Sequence, residues 1–287
     1  MGGGPSAPRD VVTLSDAGDD LDGSNFSEVL RRNLQRLFLY ASSSDVSAQR
    51  EVAERLANEA VLRERQAQIV EYGGLKLLVP LAQSQDTEVQ RLATHALANL
   101  SALPANQHKI AELSGGLEIL FVLLGSANAE VQRQAAKTVA NISVVPANMR
   151  AIAQKGGLPP LLAMLTSPHP RTRVEAIAAV SNLAVDDENE RALVAGEALQ
   201  KVLASLSEGS GAPFRAPSDV DMAVQIARAL RNLTANAAHA RLLATLSGRE
   251  AVACLMAMQV DKVSQQCSIC LEHLEAATKE KEGEEKK

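Results

Sequence analysis

Residues 73–101 read GGLKLLVPLAQSQDTEVQRLATHALANLS. Two copies follow, GGLEILFVLLGSANAEVQRQAAKTVANIS at 115–143 and GGLPPLLAMLTSPHPRTRVEAIAAVSNLA at 156–184. The Gly pairs of the three copies are 42 and 41 residues apart. A fixed period of this size marks stacked supersecondary units. The register extends in both directions through Asn58, Asn99, Asn141, Asn182, Asn232 and His273. The step from Asn182 to Asn232 is 50 residues, so the fifth unit carries about nine extra. Gly196-Glu197 and Gly248-Arg249 read as weaker copies of the Gly pair.

One unit predicts three helices. A short first helix starts at Asn106, Asn148 or Asn189, each read as an N-cap, and stops at the Gly pair, where a left-handed residue suits glycine. The second begins directly after the pair. The third is the longest and amphipathic, with Asp86 or Asn128 capping its start. Pro159 and Pro160 fall in a first turn, where proline is tolerated. Pro80 lies deeper and is expected to bend its helix. Asp186-Asp187-Glu188 is expected to favour the N-terminus of the helix that follows.

Composition agrees. The 287 residues are 46% hydrophobic, with 2% aromatics and no Trp. A core of Leu, Ala, Val and Ile suits closely packed helices better than sheets. So few aromatics argue against base-stacking nucleic-acid modules, and the net charge of −5 gives no basic field toward nucleic acid. The charge lies in the tails. Residues 1–25 carry −4 and 272–287 carry −2, which leaves +1 for the body. The expected organisation is an acidic disordered tail over 1–25, the repeat domain over 26–278 and a charged disordered tail over 279–287.

At about 41 residues and three helices per unit, the chain resembles the armadillo-repeat family, catenin-like and vacuolar or organelle-surface adaptors in particular. Gly-Gly-Leu starts, Ala-Asn-Leu-Ser and Ala-Asn-Ile-Ser helix ends and the Asn-X-X-X-Ile-Ala starts at Asn106 and Asn148 carry the likeness. It implies an all-α, right-handed superhelix of about six units with atypical caps, its concave face lined by third helices. Two-helix HEAT repeats lack the Gly pair.

Positions four and eight before each repeat Asn share its face. They hold Arg50, Arg91, His95, Arg133, Lys137 and Arg228, beside Asn58, Asn99, Asn141, Asn182 and Asn232. The resemblance implies a peptide groove in which Asn amides bond an extended partner's backbone and the cations of the first three units hold its acidic side chains. The plainer alternative is a solvated charged face with the Asn side chains capping helix ends. Nuclear-import adaptors of the family have Trp four before the Asn. Here that position is Glu54, His95, Lys137, Ala178 or Arg228, which argues against basic import cargo.

Three further features complete the reading. The insertion EGSGAPFRAPS (208–218) is a loop in which Phe214 and Arg215 form an exposed apolar and cationic pair, a candidate contact. Cys267-Ser268-Ile269-Cys270 resembles a RING opening, yet only His273 follows as a ligand, so both cysteines are read as small core residues and no metal site is assigned. Gly2 with Ser6 fits an N-myristoylation pattern, against a plain Gly-rich start. The three cysteines and the absence of a leader predict a cytoplasmic protein. No catalytic constellation and no cofactor motif is present. The expected function is a non-enzymatic scaffold or adaptor that binds an extended, acidic segment of another protein, with no nucleic-acid partner and membrane contact only through Gly2. The alternatives are an acylated membrane-tethered adaptor and a substrate-binding subunit of a ubiquitin ligase complex.

Overall fold

The computed structural model describes residues 26–207, 214–217 and 219–284. Gly2, the acidic stretch Asp16 to Asp22 and residues 208–213 of the insertion lie outside the described residues. Every described element is a helix. The chain opens with α1 (Phe26–Ala41) and α2 (Val46–Val61). Triplets follow: α3 (Arg63–Glu71), α4 (Gly74–Ala82), α5 (Thr87–Ser101), then α6 (Pro104–Glu112), α7 (Gly116–Leu124), α8 (Ala129–Ile142). The next are α9 (Pro146–Gln154), α10 (Leu158–Met164), α11 (Pro170–Leu183), then α12 (Asp187–Ala195), α13 (Ala198–Ala204), α14 (Val220–Leu233). The last is α15 (Ala237–Thr245), α16 (Gly248–Met256) and α17 (Asp261–Glu284). The third helices α2, α5, α8, α11, α14 and α17 stack on one another in that order.

The opening pair is itself a unit. Inside α1 the backbone leaves helical geometry at Asn33 (φ −116°, ψ 16°). Asn33 stands 41 residues before Gly74, at the first-to-second helix boundary of the next unit. α1 is thus a first and a second helix run together, because no glycine is present there to take a left-handed turn.

Where the Gly pair is present, its first member is left-handed, at Gly73 (φ 88°), Gly115 (φ 75°) and Gly156 (φ 84°). The later units place Glu197 (φ 66°) and Ser247 (φ 59°) at this position. The left-handed residue is therefore the second of Gly196-Glu197, and it precedes Gly248. A side chain in this region costs about 1–2 kcal/mol. Glu197→Gly is expected to stabilise the protein by about 0.5–1 kcal/mol after the flexibility of glycine is counted, read as a higher urea midpoint.

The core is built at fixed places in each unit. Ala93, Ala135, Ala176 and Ile226, with Ala96, Thr138, Ala179 and Ala229, are all fully buried where third helices meet. Small side chains there let the axes approach closely. Cys267 and Cys270 fill the same positions in α17 at 1% and 0% exposure. Burial pushes their thiols up to about 12 and about 11. Both are packing residues of the last unit, as their register implies.

Helix starts follow side-chain caps at Asp45, Asp86, Asn128, Asp186 and Asp219, whose oxygens accept from backbone N–H groups of the first turn. Such caps contribute about 1 kcal/mol each. Pro80 sits inside α4, in its last turn, and the helix continues through it to Ala82. One expectation fails here. Asn106, Asn148 and Asn189 are not caps. Leu103 and Val145 precede Pro104 and Pro146 as the first helical residues, and Asp186 caps α12. At the far end α17 extends to Glu284, six residues beyond the expected boundary at 278. Arg241 of α15 holds it, donating to the Ala277 carbonyl at 3.3 Å and pairing with Glu280 at 3.3 Å.

The three asparagines have another task. Asn106 Nδ2 donates to the carbonyls of Leu100 (3.0 Å) and Gln66 (3.1 Å). Asn148 Nδ2 donates to Ile142 (2.9 Å) and Gln107 (3.1 Å). Asn189 Nδ2 donates to Met149 at 3.2 Å. At 1–3% exposure these amides staple each first helix to the previous unit.

Candidate functional site

The third-helix stack presents the repeat Asn and the positions four and eight before it on one face. At its start Asn58 is exposed, in a shallow depression of about 290 Å³ that it lines with Glu51, Glu54, Arg55 and Glu59. Arg50, exposed, reaches across to Asp86 of the next unit at 2.6 Å. Bonds from Arg50 and from the Val89 N–H hold the Asp86 carboxyl down to about 2.

The next two arginines are also neutralised. Arg91 makes a fork to Glu88 (2.6 and 2.8 Å), and Arg133 makes the same fork to Glu130 (2.6 and 2.9 Å). Glu88 and Glu130 lie eleven residues before Asn99 and Asn141, one turn further along the same face. His95 is half-buried; burial, then the charge of Arg91, lowers its pKa below the ordinary value. It stands neutral at pH 7, with Nε2 3.3 Å from Asn99 Nδ2. The ladder expected to be basic through its first three units is thus a mixed strip, acidic around Asn58 and balanced to Arg133. Lys137 has no ion pair within 4 Å among the described residues. The carboxyl of Glu175 on α11 is raised by burial, opposed by the nearby Lys137 and Arg133.

Most of the repeat asparagines are already engaged. Asn141 Nδ2 donates to Ser101 Oγ at 2.9 Å. Asn182 Nδ2 donates to the Ala140 carbonyl (2.8 Å) and Ser143 Oγ (3.2 Å), and Asn232 Nδ2 to the Ser181 carbonyl (2.7 Å). These three stitch successive third helices together at their ends, which is the capping alternative carried from one unit to the next. Asn58 is exposed on the face, and half-buried Asn99 bonds only His95 of its own helix.

Toward the other end, Val174, Ala178 and Val224 form a partly buried apolar step between Lys137 and Arg228. Arg228 bonds Asn182 Oδ1 and Gln225 Oε1, and Arg231 bonds Asn232 Oδ1. Of the insertion pair, Arg215 is exposed and its N–H donates to the Leu206 carbonyl at 2.6 Å. Phe214 is half-buried against the core, which removes it as a free apolar contact.

Successive three-helix units with an open stacked face define an α-solenoid built for extended contact surfaces. Residues 63–102 and 146–185 match the Armadillo/beta-catenin-like repeat model, and these spans coincide with the triplets α3–α5 and α9–α11. The chain belongs to the armadillo-repeat superfamily. A crystal structure of an engineered protein is 30% identical, with a TM-score of 0.74, covering 88% of this chain and 98% of that one. A designed armadillo repeat protein has the same fold at 24% identity and TM-score 0.73, covering 84% of this chain and 99% of its own. Another, solved in complex with the peptide (KR)4, gives 23% identity and TM-score 0.71 over the same shares. A search among curated proteins found no match.

Proposed function

We propose that the protein is a non-enzymatic scaffold that holds an extended segment of another protein along its third-helix face, and that this segment is acidic. The observation that carries the reading is the charge balance of the face. Arg50, Arg91 and Arg133 are matched by the chain's own acids, whereas Lys137 and Arg228 have no ion pair among the described residues. Acidic side chains of a partner would complete these two, and an aliphatic side chain would rest on Val174, Ala178 and Val224 between them. Asn58 and Asn99 would bond its backbone at the other end. The fold itself supports a peptide-binding role, since a designed armadillo protein was solved with a peptide bound.

Selection from a random peptide library displayed on phage tests the sign. Recovered peptides are expected to be rich in Asp and Glu and poor in Lys and Arg. Lys137→Glu should weaken them about tenfold in fluorescence anisotropy, as an attraction becomes a repulsion of similar size. Binding of (KR)4 as tight as that of the recovered peptides would overturn the sign, and recovery of no peptide would overturn the groove.

A further inference from the structure

Arginine is treated differently at the two ends of the third-helix face. Arg50, Arg91 and Arg133 each have a carboxylate oxygen at 2.6 Å. On α14, Arg228 donates Nη1 to Gln225 Oε1 at 3.2 Å and Nη2 to Asn182 Oδ1. Arg231, three residues on, donates Nε and Nη2 to Asn232 Oδ1 at 2.8 and 2.7 Å. Every acceptor is a neutral amide. Both side chains are half-buried, and burial, then the charge of Arg231, lowers the Arg228 pKa below its ordinary value.

Among the described residues neither arginine has an ion pair. The repeat register sets Val174 and Ala178 of α11, and Gln265 and Ile269 of α17, beside this part of α14. Asp219 and Asp221 lie two or more turns away at the start of α14. Glu272 of α17 stands 41 residues after Arg231, at the equivalent position, and makes no ion pair with it.

We infer that Arg228 and Arg231 form a binding site for a dianion, and that in the bound segment this is a phosphorylated side chain. The inference rests on the third-helix face being a peptide groove. A carboxylate would leave one of the two charges uncompensated, whereas a phosphomonoester carries about −1.5 to −2 at neutral pH and matches both. The amide acceptors fix the two guanidinium planes and use two of the five N–H groups of each, so donors remain for tetrahedral oxygens.

Two arms test the site. Decapeptide libraries with either phosphoserine or serine fixed at the centre are bound to the full chain. The phosphorylated library is expected to bind about tenfold tighter or more, as charge-assisted bidentate bonds allow. Arg231→Gln should erase that preference while the unphosphorylated library still binds, and adding Arg228→Gln should weaken both libraries. Equal binding of the two libraries, or a preference that survives both substitutions, overturns the phosphate assignment and leaves the groove standing. Failure of both libraries overturns the groove instead. In the second arm O-phospho-L-serine is titrated while arginine Nε–H signals are followed by NMR. Shifts at Arg228 and Arg231, lost in Arg231→Gln, support the anion site without any peptide, and their absence overturns it. Should Arg228→Gln fail to fold by circular dichroism, Arg231→Gln carries both arms, because it bonds only its neighbour Asn232.

Discussion

Asn148→Asp is expected to lower stability at pH 7 by about 3 kcal/mol, although it changes one atom of a buried side chain. Asn148 Nδ2 donates to the Ile142 and Gln107 carbonyls at 2.9 and 3.1 Å, and the residue is 2% exposed. A carboxylate in its place directs a charged acceptor at two acceptors and loses both bonds, leaving His108 Nδ1, 3.3 Å from the present Oδ1, as its donor. At about 2–4 °C per kcal/mol, the fall in Tm is roughly 6–12 °C. The loss depends on pH with a definite sign. The new carboxyl has a raised pKa in the folded state, since only its protonated form can donate to a carbonyl. The folded state then binds more protons than the unfolded state, so the penalty is full above the folded pKa and shrinks as pH falls toward the ordinary carboxylate value near ~4. Urea unfolding of the variant and the parent at pH 7 and pH 5 checks this. A difference that stays constant across that range would show that the amide does not bear on the junction.

The second large effect lies two junctions further. Where the earlier junctions have an asparagine and a carbonyl, α12 and α15 meet through Glu190 and His239, with Nδ1 to Oε1 at 2.9 Å. The side chains are 5% and 16% exposed, and the Asn236 N–H is a second donor to the same oxygen at 3.3 Å. His239→Leu removes one of two donors to a buried carboxyl and is expected to cost about 3 kcal/mol or more. Replacing both residues by leucine should be much milder, because a buried polar pair often costs about as much to desolvate as it returns. The double-mutant cycle should therefore show a coupling of about 2 kcal/mol between Glu190 and His239. Additive losses in urea unfolding would mean that the two side chains act separately.

The fold was largely legible because its signals repeat. Three Gly pairs at matched spacing, the caps at Asp86 and Asn128 and the small residues before each Asn all state one register. The site was less legible, for physical reasons that particular residues show. Asn106 precedes an apolar run and so resembles a cap, yet Pro104 marks the helix start two residues earlier. Its amide serves carbonyls 6 and 40 residues back, and local spacing cannot reveal the second. The Arg50 bond to Asp86 spans 36 residues and is equally hidden. Glu88 and Glu130 were within reach, since extending the face one more turn to eleven residues before the Asn places them beside the arginines they neutralise. Phe214 reads as a surface residue from its Gly- and Pro-rich context, and only the packed structure shows it against the core.

The asparagine staples also bear on how the chain could change length. Asn106 and Asn148 use the same two backbone carbonyls of the unit that precedes each, and Asn189 uses one of them, so the joint is indifferent to which unit that is. Excising residues 106–147 would bring Asn148 to the Leu100 and Gln66 carbonyls that now serve Asn106. Nothing in a stack of this kind has to close on itself, so such a chain could be shortened or extended by whole units at these joints. The Glu190–His239 joint is keyed to one specific pair, which makes it a seam: units can be exchanged on the N-terminal side, while the arginine-bearing unit and its cap are fixed to each other.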